Sequence, residues 1–183
     1  MTVSFLLKPN TVTSMSRNNT ESPHLIKFLV VSTVSFFFGA IHGMLQVVPS
    51  IRTWLDSIGS PYGGPGHMID PLAHAHINLI GGLVTLAMGT MYYLLPIISG
   101  KEIYSMRLIN HSFWWTTIGV FYFYITQVVF GILEGNLLLQ NDLQAMAQVH
   151  HYYGPIVASS GMIMATGFCI YLANVLLTLK TKP

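Results

Sequence analysis

Charge is scarce in this sequence. Asp, Glu, Lys and Arg together make up 8% of 183 residues, and 52% of residues are hydrophobic. Soluble domains carry roughly a quarter charged residues. The shortage excludes a disordered chain, a water-soluble globule and a nucleic-acid binder driven by a basic stripe. Cysteine is nearly absent: Cys169 stands alone. One thiol forms no internal disulfide, no CxxCH haem attachment, no zinc ribbon and no iron–sulfur cluster. Any haem held by this chain is therefore non-covalent, and Cys169 reads as a small buried apolar residue. No phosphate-binding Gly-rich loop with a lysine is present, and no acidic pair lies inside an apolar run. Histidine is plentiful by contrast, with eight against six carboxylates.

The few charges divide the chain. Uncharged stretches run over 28–51, 71–100, 108–133 and 143–179. Each exceeds the roughly 20 residues that cross a bilayer as a helix. The reading is an all-α integral membrane four-helix bundle, with spans at about 26–48, 72–98, 110–133 and 148–179 forming one domain over 26–183. Residues 1–25 form a polar N-terminal segment, and Ser60 to Gly66 is a turn-rich outer connection. Lys8, Arg17, Lys27, Lys101, Arg107, Lys180 and Lys182 fall on one side. The other side holds Arg52 with Asp56, Asp70, Glu134 and Asp142. By the positive-inside rule both termini are cytoplasmic. The expected place is a prokaryotic inner membrane, crossed several times.

With that orientation, His42, His74, His76, His150 and His151 lie near the outer boundary on three helices, within about 10 Å of it at roughly 1.5 Å per residue. His67 sits just above them, and His24 and His111 belong to the inner side. An ionisable residue inside a membrane is costly and marks function, and neutral imidazole is a ligand for haem iron or copper. Haem is favoured because helices must thin out to admit a flat plate. Gly81, Gly82 and Gly89 on the second span, and Gly154, Gly161 and Gly167 on the fourth, allow that. They suit close helix packing equally well. His74 and His76 are neighbours on one backbone and cannot straddle one haem.

The stretch Ala73-His74-Ala75-His76-Ile77-Asn78-Leu79, followed by Gly89-Thr90-Met91-Tyr92-Tyr93-Leu94-Leu95-Pro96, resembles the second transmembrane helix of the haem-copper oxidase large subunit. The likeness is to the cbb3-type oxidases and nitric oxide reductases in particular. There a His-x-Asn near the outer face opens the helix and a Tyr-Tyr pair closes it. The resemblance implies that His76 ligates a low-spin b-type haem, with His74 as an extra imidazole. Val149-His150-His151-Tyr152-Tyr153-Gly154 is similar to the adjacent histidines that bind the non-haem metal of that family. His111-Ser112-Phe113-Trp114 further resembles small four-helix, subunit-I-like members. The likeness covers about residues 70–135. The family's full large subunit has many more helices, including a late His-x-His helix that this sequence lacks.

These readings converge on an electron-transfer subunit rather than a stand-alone enzyme. One haem b lies near the outer face, with His76 as one axial ligand and His42, His150 or His151 as the other. His74 and the remaining imidazoles act as outer partners. A second haem at the inner side would need His111 and His24. The alternatives are a copper site made by His42, His76, His150 and His151, and a non-catalytic accessory subunit of an oxidase-like assembly. The expected partners are the lipid bilayer and other membrane or periplasmic redox subunits, including a c-type cytochrome or quinol. Glu134, Asp142, Asp70 and His67 are the groups available to accept a quinol proton, and no nucleic acid is implied.

Overall fold

A computed structural model describes residues 23–180 of the chain. Lys8, Arg17 and Lys182, which weigh in the orientation, lie outside the described residues. Four helices are long and apolar enough to cross a membrane: α1 (Pro23–Gln46), α3 (Gly64–Ser99), α4 (Met106–Leu139) and α5 (Leu143–Lys180). A short helix, α2 (Pro49–Ser57), joins α1 to α3. All four expected spans form; α3, α4 and α5 run past their expected bounds, while α1 ends at Gln46, short of the expected 48. Length explains this for α4 and α5, whose 34 and 38 residues make about 51 and 57 Å of helix against a hydrocarbon core of about 30 Å. The sequence reading missed α2, which is short and carries Arg52 and Asp56 among its apolar residues. Pro49 opens it at a position where the missing N–H costs nothing.

Packing follows the pattern of a membrane solvent. Large apolar side chains face outward, with Phe37 63%, Ile98 78% and Met162 66% exposed. Polar side chains such as Ser35, Thr85, Gln127 and Asn174 are buried between helices. Small and polar residues are what bring helices together when lipid is as apolar as leucine. Cys169, expected to be buried, is exposed instead. At one end Leu25, Phe28, Met88, Tyr92, Ile109 and Phe113 form an apolar cluster. Phe28 meets Phe113 edge-on at a centroid distance of 4.9 Å, a favourable quadrupole arrangement.

The helix α3 departs from regular winding where the histidines lie. Asp70 has extended φ/ψ of −130° and 110° immediately before Pro71, so the axis breaks there. A residue before proline is pushed out of the helical region by the ring. Segments Met68–Ala73 and Ile77–Val84 are wound as the wider π-helix, with His74–His76 between them.

Candidate functional site

Two residues of α1 lack a Cβ where α3 needs room. A Cβ on Gly39 would stand 2.0 Å from Asn78 Oδ1, and one on Gly43 would stand 2.7 Å from His74 Cε1. The two side chains of α3 therefore seat in notches on α1. Asn78 Nδ2 also donates to the His74 carbonyl at 2.9 Å. This gives the asparagine of the His-x-Asn pattern a physical role: it fixes the turn that presents His74.

His74 faces His42, with ring centroids 5.5 Å apart. His42 is 8% exposed, and its Nδ1 lies 3.2 Å from the Tyr124 hydroxyl of α4. The Nδ1 of His74 is buried and has no hydrogen-bond partner. His76 turns another way and rests on Phe123 of α4, with centroids 4.3 Å apart. Its Nδ1 lies 2.8 Å from the Leu72 carbonyl. A carbonyl only accepts, so Nδ1 carries the proton and the lone pair of the neutral ring sits on Nε2. That is the state a metal ligand requires.

The histidines of α5 lie elsewhere. His150 Nδ1 is 3.0 Å from the carboxylate of Glu134, and its ring stacks on Tyr153 at 5.5 Å. Tyr153 in turn donates to Gln127 Oε1 at 3.0 Å. His151 is exposed and meets the edge of Tyr152. It lines a wide groove with Phe130, Leu137 and Gln148. Thus His42 and His74 are brought together, His76 stands beside them on another face, and His150 and His151 are apart. Among the described residues no group of three or more His, Cys, Asp or Glu is placed to hold a metal ion. The four imidazoles expected to share a copper ion do not converge.

The acidic groups are engaged locally. Asp142 accepts from the Ala145 amide at 3.0 Å and caps α5. Asp70 Oδ2 accepts from Arg52 Nη1 at 2.8 Å and from Ser60 Oγ at 3.0 Å. Arg52 also donates from Nε to Asp56 at 2.9 Å and from Nη2 to Ser60 at 2.8 Å. The hydrogen bond with Asp56, then that with Asp70, raises the Arg52 guanidinium above its ordinary value. His67 Nδ1 donates to the Pro61 carbonyl, and His111 is exposed on α4.

Beside His42 a cavity of about 240 Å³ opens, lined among others by Phe38, Gln46, Trp54, Leu55 and Tyr124. Gln46 Nε2 is buried without a partner. Among the polar side chains named above, His42, Gln46 and Tyr124 line the cavity, and His74 and His76 do not. That lining offers apolar walls, one nitrogen donor in His42 and an amide hydrogen on Gln46, while the ligand-ready Nε2 of His76 lies on another face. The sequence signalled His42, His74 and His76. It did not signal Gln46 or the Leu72 carbonyl, although Leu72 and His76 stand one helical turn apart.

The comparisons with known proteins agree with the transmembrane architecture. The family model described as cytochrome c and quinol oxidase polypeptide I matches residues 3–164. A cbb3-type cytochrome c oxidase subunit CcoN1 from Stutzerimonas stutzeri is 27% identical over 117 residues, covering 63% of this chain and 22% of that protein. A cytochrome c oxidase subunit 1 homolog from Azorhizobium caulinodans is 26% identical over 165 residues, covering 85% of this chain and 28% of its own length. Cytochrome c oxidase subunit 1 of Rhodobacter capsulatus is 28% identical over 139 residues, covering 67% and 26%. The chain thus spans about a quarter of the length of these relatives. It is a multi-pass protein of the prokaryotic inner membrane, and it belongs to the cytochrome c and quinol oxidase polypeptide I family.

Proposed function

We propose that the chain is a membrane b-type cytochrome subunit that passes electrons through a haem held near the outer face, within a larger redox assembly. The observation that carries this reading is the His76 hydrogen bond to the Leu72 carbonyl, which leaves Nε2 free as a donor. Of the three imidazoles considered as a second ligand, His42 would be the partner nearest the His-x-His turn, beside His74. Tyr124 steadies His42. Phe123 supports the His76 ring. Gln46 has a hydrogen to give to an oxygen at the haem edge. Trp54 and Leu55 line the cavity from α2. Bound haem supplies a one-electron couple. The donor is a quinol or a c-type cytochrome, and oxygen or nitric oxide turnover belongs to the assembly rather than to this chain.

The test is a reduced-minus-oxidised spectrum of the purified protein with pyridine haemochrome quantification, repeated on three variants. His76→Ala and His42→Ala are expected to lose most of the b-type band, while His74→Ala keeps it. Loss in His74→Ala with retention in His76→Ala would move the ligand to the His42–His74 pair. Stoichiometric copper with no b-type band in the native protein would replace haem with a copper site.

A further inference from the structure

We infer that Arg52 is a positioning residue for this site: through Asp70 it locks the broken start of α3 and thereby sets where His74 and His76 point. The inference rests on the haem reading for its spectroscopic part and on geometry alone for the rest. Asp70 is the non-helical residue at which the axis of α3 breaks. Downstream of such a break, the helix is free to rotate unless something holds the joint. Arg52 holds it. One guanidinium spans Asp70, Asp56 and Ser60, and Ser60, only 6% exposed, closes the ring back onto Asp70. Among the described residues, Arg52–Asp70 is the ion pair that ties α2 to α3.

His74 and His76 follow Asp70 by only four and six residues along α3. Asn78 and His74 sit close against Gly39 and Gly43, so a shift at the joint would press them against α1. Charge acts in the same direction. Without Arg52, the Asp70 carboxylate would stand unpaired four residues before His74, and a bare negative charge there favours the oxidised cofactor. A lysine would supply the charge. It would not bridge three groups at once, since only the planar fork does that.

Two measurements decide the matter. In a Cys169→Ser background, spin labels at Met44→Cys and Leu79→Cys, both exposed positions, report the placement of α3 against α1 and need no haem. Arg52→Gln is expected to broaden or shift that distance distribution. A distribution superimposable on that of the unaltered protein would overturn the inference. In haem-loaded protein, Arg52→Gln is expected to keep most of the haem but lower its midpoint potential and broaden the low-spin ferric signal. Arg52→Lys should restore the potential in part and leave the signal broad. Full restoration by lysine would reduce Arg52 to a charge and overturn its positioning role. If Arg52→Gln fails to fold, Ser60→Ala removes one arm of the lock and is expected to give intermediate broadening, with no change counting against the inference. Absence of haem from the native protein would sink the haem reading while the label distances still judged the lock.

Discussion

Glu134 is a carboxylate with 4% of its side chain exposed, and its imidazole partner on α5 is 57% exposed. The pair is therefore asymmetric: water can replace Glu134 for His150, but little can replace His150 for Glu134. Removing His150 as His150→Ala is expected to destabilise the protein by about 1–3 kcal/mol, the cost of leaving a buried polar group without its partner. Thermal unfolding in detergent would measure it, and an unchanged midpoint would refute it. Glu134→Gln removes the charge together with the need to solvate it, so its effect should be smaller. At this scale it was legible that His42 and His74 lie at the same level of two neighbouring spans, because the charges bounding each span set its register. The faces were not. His74 and His76 sit between π-helical segments, whose wider turns shift the facing that a 3.6-residue period predicts. For that reason His74, read as an extra imidazole, turns out to be the one that meets His42.

Between helices, glycine does the spacing, and it does so unevenly. A Cβ on Gly119 would stand 2.6 Å from the Met164 amide nitrogen, and one on Gly167 would stand 2.6 Å from that of Thr116. The backbones of α4 and α5 therefore touch at two places, and nothing larger than hydrogen fits there. Gly119→Leu is expected to cost about 1–3 kcal/mol through overpacking and to raise the proteolytic sensitivity of the α4–α5 hairpin. Gly154→Leu is expected to cost little, because nothing lies within 4 Å of a Cβ at that position. The sequence singled out both Gly154 and Gly167 as small residues on one helix. Only the partner helix tells them apart. Asn174 is a second joint: it gives Nδ2–H to the Ser105 carbonyl at 3.1 Å and accepts the Ser105 amide at 3.2 Å. Asn174→Leu breaks both bonds and is expected to loosen the α3–α4 connection, read as faster amide exchange near Ser105.

For the molecule as a whole, the four spans were legible because the lipid interior forbids what soluble cores allow. A charge-free run of that length has few other uses. The short helix α2 was not legible, since nine residues with mixed polarity resemble a loop until Pro49 and the Arg52 contacts are seen together. Orientation carries its own prediction. Reporter fusions after Pro183 should be active only in the cytoplasm, and an insertion at Asn141 should be reached by a membrane-impermeant reagent from outside. The opposite pattern would invert the site to the inner face. The arrangement of α5 bears on how the protein is made. It lies along α4 and meets α3 at the Tyr92–Tyr171 ring contact, 5.2 Å between centroids, while His42, His74, His76 and Tyr124 all belong to α1, α3 and α4. Since synthesis proceeds from the N-terminus, those three helices can leave the translocon and assemble their imidazoles while α5 is still in the ribosome. A nascent protein stalled before residue 143 would already contain His42, His74, His76 and Tyr124 and could bring them together without α5.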